Sequence, residues 1–408
     1  MILYNLGIFI YWLGIYIAHF FNSKAKQFID GRRGVFDMLK EKIDPNSKYV
    51  WVHAASLGEF EQGRPIIERI KREHPELKVI LTFFSPSGYE VRKNYDVADI
   101  VCYMPMDTWF NARKFLKLVP LHSAIFVKYE FWLCFLNALY AKKIPTYIVS
   151  AIFREEQLFF KWYGKWYASF LKRFNRLFVQ DNNSVNLLKR VGVENVTVVG
   201  DTRFDRVAEI ASQCNDLPIV EAFKGDKLVL IAGSSWEPDE NLLCEYFQNH
   251  DIKMILAPHV TSEDHVLQIC RKLEGKKYVR YTKTNPDEAR DADCLIIDCI
   301  GILTSVYKYG NIGYVGGGFG VGIHNTLEPA VYGMPIFFGP NYKRFREAVE
   351  MVKAGVAHPI ENKETLFPLL DEMFDPNGSA LKNSSAEARK FVQQNCGATE
   401  IVMKEIFG

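Results

Sequence analysis

The sequence predicts an α/β chain of two doubly wound, Rossmann-like domains behind an apolar N-terminal segment. Three observations carry that prediction. Short β-branched or aromatic runs alternate with helical stretches from residue 48 onward. The alternation pauses over a polar stretch at 204–226 and then restarts. Residues 2–21 hold no Lys, Arg, Asp or Glu. At 408 residues the chain exceeds one ordinary core, so two domains of roughly 150–200 residues are the natural division.

In the first half the predicted strands are 48–53, 78–84, 99–103, 123–127, 145–150, 175–179 and 195–199. In the second they are 227–232, 252–257, 278–281, 294–298, 311–315 and 335–338. Continuous apolar strands separated by helices imply parallel strands covered on both faces. The stretch 204–226 reads as an irregular interdomain connection, and 381–408 reads as helical. The expected divisions are a membrane anchor at 1–22, a first domain at 23–205, a second at 206–390, and a closing helix at 391–408 returning toward the first. Ligands of such sheets bind beyond the carboxyl ends of the strands, and a cleft between two such domains is the default site.

Composition narrows the class. Hydrophobic residues at 48% and charged residues at 24% describe a globular chain rather than an extended disordered one. A net charge of +2 gives no bulk attraction for nucleic acid. Eight Cys lie scattered with no pair at CxxC spacing, so neither a zinc ribbon nor a redox motif is indicated. The apolar run 2–21 has about the length needed to cross roughly 30 Å of hydrocarbon as a helix. Lys24, Lys26, Arg32 and Arg33 follow it directly, which places the rest of the chain on the cytoplasmic side. A cleaved signal peptide fits poorly, because no basic residue precedes the run and no small-residue cleavage site follows it. A buried helix and one lying within a single leaflet remain open.

Five segments are candidates for chemistry. In HAASLGEFEQGRP (53–65), Ser56, Gly58 and Glu59 fall at a strand-to-helix turn. A first-turn carboxylate is held ionised by the helix dipole and suits a general base for an acceptor hydroxyl; it is equally an ordinary first-turn charge. His53 reads as a strand-end histidine, since no metal-ligand spacing accompanies it. In AGSSWEPDE (232–240), Ser234 and Ser235 suit either a phosphate-holding turn or a helix cap. In GGGFGVGIHNTLEPAVYGMP (316–335), a glycine-rich loop containing Gly316, Gly317 and Gly318 leads to a helix expected near His324 or Asn325. Its glycines do not follow GxGxxG, which argues against a nicotinamide enzyme. Glu328 is placed to accept hydrogen bonds from ribose hydroxyls. In KYEFW (128–132), Glu130 lies at the same sheet edge as Glu59, either orienting an acceptor or forming a structural ion pair. The stretch 153–178 interleaves aromatics with Lys and Arg, the pattern of an interfacial helix at anionic lipid or of an ordinary packing helix.

Taken in order, HAASLGE, YEFW, SAIFREE, VVGDTRFD, AGSSWEP and HNTLEPA resemble the Kdo (3-deoxy-D-manno-octulosonate) transferases of lipopolysaccharide assembly. The resemblance runs from about residue 50 to 345 and implies a GT-B fold, its two domains facing across a cleft. It implies inverting transfer of Kdo from CMP-Kdo to a lipid A precursor such as lipid IVA, with no metal and no cofactor. It makes Glu59 the catalytic base and Glu130 a second essential carboxylate. Ser234, Ser235, Gly316, Gly317, Gly318, His324, Asn325 and Glu328 are then assigned to CMP. His259 is the candidate basic contact to the phosphate, standing in Pro258-His259-Val260 where relatives carry Pro-Arg-His. Ser56 and Gly58 fall on the acceptor side. The implied setting is the cytoplasmic face of the inner membrane, with membrane lipid as a partner and no nucleic acid. Two alternatives are kept: a membrane-associated GT-B enzyme using a UDP-sugar, and a catalytically silent membrane scaffold.

Overall fold

The structure is a computed structural model that describes residues 2–408. The chain divides into two compact units, one running through Asp205 and rejoined by Gly397–Gly408, the other spanning Arg206–Cys396. The first unit holds a seven-stranded sheet of β1 (Lys48–Ala54), β2 (Leu77–Phe83), β3 (Ile100–Tyr103), β4 (Leu121–Val127), β5 (Thr146–Ala151), β6 (Arg176–Val179) and β7 (Val196–Val198). Their spatial order is β3-β2-β1-β4-β5-β6-β7, and every pairing is parallel. β1 shows why. Tyr49 and Trp51 enter one apolar cluster with Phe115, Phe126 and Phe135, whereas Val50 and Val52 enter another with Ile66, Ile67 and Ile125. Alternate residues point to opposite faces, and both faces are covered by helices, so the strand is apolar throughout.

The second unit repeats the plan. It contains β8 (Val229–Ser235), β9 (Lys253–Pro258), β10 (Tyr278–Arg280), β11 (Cys294–Ile296), β12 (Ile312–Val315), β13 (Ile336–Phe338) and β14 (Ala357–Pro359). The order is β10-β11-β9-β8-β12-β13-β14, again all parallel. In both sheets the order reverses beside the first strand, which opens a crevice at the carboxyl edge. The terminal helix Ala398–Phe407 packs on the first unit, where Ala398, Val402 and Met403 join the core beneath β1. Asp205 receives the Gly397 and Thr399 N–H groups at 2.5 and 2.6 Å and fixes that helix start.

Four expectations are corrected. The apolar N-terminal run does not form one helix over 2–21: the helix is Ile2–Ala18, about 26 Å long. Asn22 ends the run by capping the next helix, Ser23–Asp30, accepting the N–H groups of Lys24 and Ala25. One side of the first helix packs Ile8, Trp12 and Ile15 against Phe28, Ile29 and Met106. The Tyr4 hydroxyl donates to Asp107 at 2.6 Å. Leu6, Phe9, Ile10, Leu13 and Ile17 face outward. Among the described residues no helix is long and apolar enough to cross a membrane.

Arg32, counted among the cations that follow the apolar run, is instead structural. Its guanidinium donates to the carbonyls of Phe28, Phe84 and Met104, and burial lowers its pKa to about 9. The stretch 153–178 forms short turns rather than one helix, namely Leu158–Phe160, Trp162–Gly164, Lys165–Ala168 and Leu171–Arg173. Phe159, Phe170 and Phe174 are core residues, while Trp162 is 84% exposed. The supposed irregular connection at 204–226 contains helices Arg203–Gln213 and Pro218–Lys224, which bury Phe204, Val207, Val220 and Phe223.

Candidate functional site

At the carboxyl end of β1 the chain turns through Ser56, the extended N-cap of helix Leu57–Glu73. Glu59 is the third residue of that helix and receives a short hydrogen bond from the Ser56 hydroxyl. The Ser56 hydroxyl is spent on Glu59, and its side chain caps no backbone N–H. The unsatisfied N–H groups of the first turn favour an anion there. Gly58 is exposed, and a Cβ built on it would meet nothing within 4 Å; the protein's own packing does not require glycine at this position.

β4 neighbours β1 and delivers the second carboxylate. Lys128 turns the chain out of the strand with φ 68, an uncommon and strained backbone for a side chain of its size. Glu130 follows at 7% exposure. Its Oε2 receives the Trp132 indole N–H at 2.6 Å and faces His53 Nε2 at 3.1 Å. The next helix, Leu133–Ala141, has its first-turn N–H groups capped from a distance by Asp107, which accepts from Cys134 at 3.1 Å and Phe135 at 2.9 Å. Burial pushes the Asp107 carboxyl up to about 6, against the pull of those hydrogen bonds. No signal in the sequence points to Asp107, since its partners Tyr4 and Cys134 are far off along the chain.

In the second unit a cavity of about 240 Å³ opens beside the ends of β8 and β12, lined in part by Ser234, Thr304, His324, Asn325 and Glu328. Ser234 takes φ 53 as the strand turns toward the helix Glu237–Asn249. The expected helix after the glycine loop starts later than His324 and is short, Leu327–Val331. Asn325 uses its Oδ1 to cap the Leu327 N–H and its Nδ2 to hold Glu328 Oε1 at 2.9 Å. Thr304 holds Glu328 Oε2 at 3.2 Å. Thr304 and Gly301, which also lines the cavity, follow β11. The carboxyl-edge rule could have found them, but the segment carries no glycine run to draw notice.

His259, at the end of β9, stacks between Trp236 and His324 with ring centroids 4.6 Å from each. His324 Nε2 accepts the Trp236 indole N–H at 3.1 Å, which leaves the ring proton on Nδ1. Burial, and secondarily His259, lowers the His324 pKa, so it presents a neutral donor.

Other expected donor-site residues have structural occupations. Ser235 is fully buried and donates to Glu240 at 3.2 Å. Adjacent strand residues point oppositely, so only Ser234 of the pair lines the cavity. The Gly316 N–H donates to the Gly233 carbonyl and the Gly317 N–H to Asp239 Oδ2 at 2.9 Å. A Cβ at Gly316 would collide with the backbone of Ser234, and one at Gly318 with Gly339. These glycines answer to close backbone packing, and two of their N–H groups are already engaged.

Comparison with known proteins follows the same division. Residues 29–206 match the family model described as 3-deoxy-D-manno-octulosonic-acid transferase (kdotransferase). The 3-deoxy-D-manno-octulosonic acid transferase of Aquifex aeolicus is 28% identical, over 82% of this chain and 88% of its own length. That of Haemophilus influenzae is 24% identical, over 76% of this chain and 74% of its own. Among solved structures, a putative UDP-N-acetylglucosamine 2-epimerase from Listeria monocytogenes superposes with TM-score 0.59 at 14% identity, covering 88% of this chain and 96% of its own. MurG of Acinetobacter baumannii gives TM-score 0.54 at 14% identity, covering 88% and 99%. The structural likeness is one of fold, two parallel seven-stranded sheets of GT-B type. Motif order, family match and relatives spanning three quarters or more of the sequence agree: the chain is a glycosyltransferase related to the Kdo transferases.

Proposed function

We propose that the chain transfers Kdo from CMP-Kdo to a hydroxyl of a lipid A precursor by direct, inverting displacement. The observation that carries the reading is Glu59 held by Ser56 at a helix N-terminus, inside the region that matches the family model. Glu59 takes the proton of the acceptor hydroxyl. The acceptor oxygen bonds to the anomeric carbon of Kdo, and the bond to the phosphate breaks with its electron pair leaving on CMP. CMP is already a good leaving group, so the demand on the protein is orientation and charge placement. Thr304, Asn325 and Glu328 form a connected polar set suited to ribose hydroxyls. Ser234, His259 and the Nδ1–H of His324 are the donors for the phosphate.

The acceptor is an acylated lipid, and the proposal extends to where the enzyme meets it. The helix Ile2–Ala18 has Tyr4, Ile8, Trp12 and Ile15 engaged with the first unit. A helix docked this way lies in the plane of one leaflet, inserting Phe9, Ile10, Leu13 and Ile17. Trp109, whose N–H donates to Asn5 at 3.2 Å, and exposed Phe110 extend that face. Lys24, Lys26 and Arg33 remain exposed beside it to meet anionic lipid on the cytoplasmic side of the inner membrane.

Nucleotide selection tests the donor half of the reading against a UDP-sugar enzyme. A ligand bound only by the folded chain raises the melting temperature with concentration. CMP is expected to do so and UDP is not. Stabilisation by UDP alone would replace the Kdo reading with the UDP-sugar one.

A further inference from the structure

We propose that His53 is a positioning residue that fixes the Glu130 carboxylate for transfer; this rests on the reading of Glu130 as the second carboxylate of the reaction. His53 is wholly buried near the end of β1. Its Nδ1 lies 2.8 Å from Thr82 Oγ1 and 3.1 Å from the Thr82 carbonyl oxygen on the neighbouring strand β2. Thr82 Oγ1 is itself held by the Trp51 indole N–H at 2.8 Å. A carbonyl only accepts, so Nδ1 carries a proton and the ring is keyed from behind. Nε2 then faces Glu130 Oε2 at 3.1 Å, just past the end of the neighbouring strand β4.

The Trp132 indole N–H reaches both His53 Nε2, at 3.1 Å, and Glu130 Oε2, at 2.6 Å, so ring, indole and carboxylate form one closed cluster. The indole ring packs on Phe84 with centroids 4.5 Å apart. The His53 and Trp132 contacts both fall on Oε2. The carboxylate plane is thereby set, and Oε1 is the oxygen left to receive a hydroxyl of the acceptor sugar. An ordinary core histidine needs only satisfied hydrogen bonds. This one joins three adjacent strand ends, β2, β1 and β4, at the edge where the chemistry is placed, and its partner follows a strained residue.

The test is steady-state transfer from CMP-Kdo by the full chain carrying His53→Phe, His53→Gln, Glu130→Gln and the His53→Phe/Glu130→Gln pair. Loss of an outer-shell partner of a reacting group costs about 10- to 100-fold. His53→Phe is expected to lower kcat by that factor with KM for CMP-Kdo unchanged. His53→Gln, whose amide can still donate to Oε2, is expected to recover most of the rate. In the Glu130→Gln background His53→Phe should cost nothing further, because both act through one carboxylate. Wild-type kcat in His53→Phe, or multiplicative losses in the pair, would overturn the assignment while leaving Glu130 in place. Wild-type kcat in Glu130→Gln would remove the reading beneath it. Should His53→Phe fail to fold, Thr82→Val removes the hydroxyl behind the ring; several-fold loss in kcat alone is expected, and an unchanged kcat would overturn the proposal.

Discussion

Replacing Asp239 should separate support of the glycine-rich loop from charge at the donor site. Asp239 is the third residue of helix Glu237–Asn249 and is 1% exposed. Its Oδ1 accepts the Tyr314 hydroxyl at 2.8 Å, and its Oδ2 accepts the N–H groups of Trp236 and Gly317, each at 2.9 Å. Asp239→Ala strands three donors, each costing about 1–3 kcal/mol when unpaired and buried. Water entering the vacated space offsets part of this, so a net loss of about 4 kcal/mol is expected. For a unit of this size that corresponds to a fall of about 10 °C in Tm. Asp239→Asn should behave differently. Its amide oxygen can accept both N–H groups while its NH₂ donates to the Tyr314 oxygen, whose hydroxyl is free to rotate. Burial already pushes the Asp239 carboxyl upward, so losing the charge is itself no penalty, and Asn should stay within about 1 kcal/mol of wild type. Thermal melts of the full chain read both variants, with KM for CMP-Kdo rising in Ala alone because Trp236 leads on to His324. An Ala variant as stable as wild type, or an Asn variant as poor as Ala, would refute this account of the loop.

Thr304→Val should raise KM for CMP-Kdo about 5- to 10-fold, the value of one hydrogen bond between neutral groups, with kcat unchanged; an unchanged KM would remove Thr304 from the ribose set. Asp107, raised from 3.8 to about 6 in the fold, binds protons more tightly folded than unfolded. It contributes stability that is present below about pH 4 and lost as pH rises through 6, on the order of 3 kcal/mol. Urea midpoints of wild type should therefore fall relative to Asp107→Asn between pH 4 and 6, and parallel curves would contradict the assignment. On the outer face of the first helix, Phe9→Ser with Ile10→Ser removes about 1.5 kcal/mol of apolar insertion per side chain, so binding to vesicles containing anionic lipid should weaken roughly 100-fold. Undiminished vesicle binding, with the fold intact, would exclude that face as the lipid contact.

Much of the sheet architecture was legible because parallel strands covered on both faces must be apolar along their length. Thirteen of the observed strands lie at the expected apolar runs, from Lys48–Ala54 to Ile336–Phe338. The missed one, Ala357–Pro359, is three residues with a histidine and a proline at an edge. The placement of Glu59 in a first helical turn was legible because Ser56 and Glu59 frame a helix start in the order that strand-to-helix turns use. The rest was hidden by contacts that composition and periodicity do not report, some distant in sequence and some local. The apolar run 2–21 reads the same whether it crosses a bilayer or docks, and docking is decided by Tyr4 meeting Asp107 and Trp12 meeting the 28–29 cluster. The aromatic stretch 153–178 looks continuously helical, yet Gly164 lies against the Leu158 carbonyl where no Cβ fits. Ser235 seemed equivalent to Ser234 until strand alternation turned it toward Glu240. His53 and Glu130 stand 77 positions apart, and only the register of β1 beside β4 brings them together.

The most direct test of the central claim is transfer by purified full chain in detergent, with CMP-Kdo and lipid IVA, followed by the mass of the lipid product. Wild type is expected to add Kdo, and Glu59→Gln, which keeps the side-chain shape but cannot take a proton, is expected to lose about 10²- to 10⁴-fold in rate while still being stabilised by CMP. Lipid left unmodified by wild type, or a Glu59→Gln rate equal to wild type, would contradict the account.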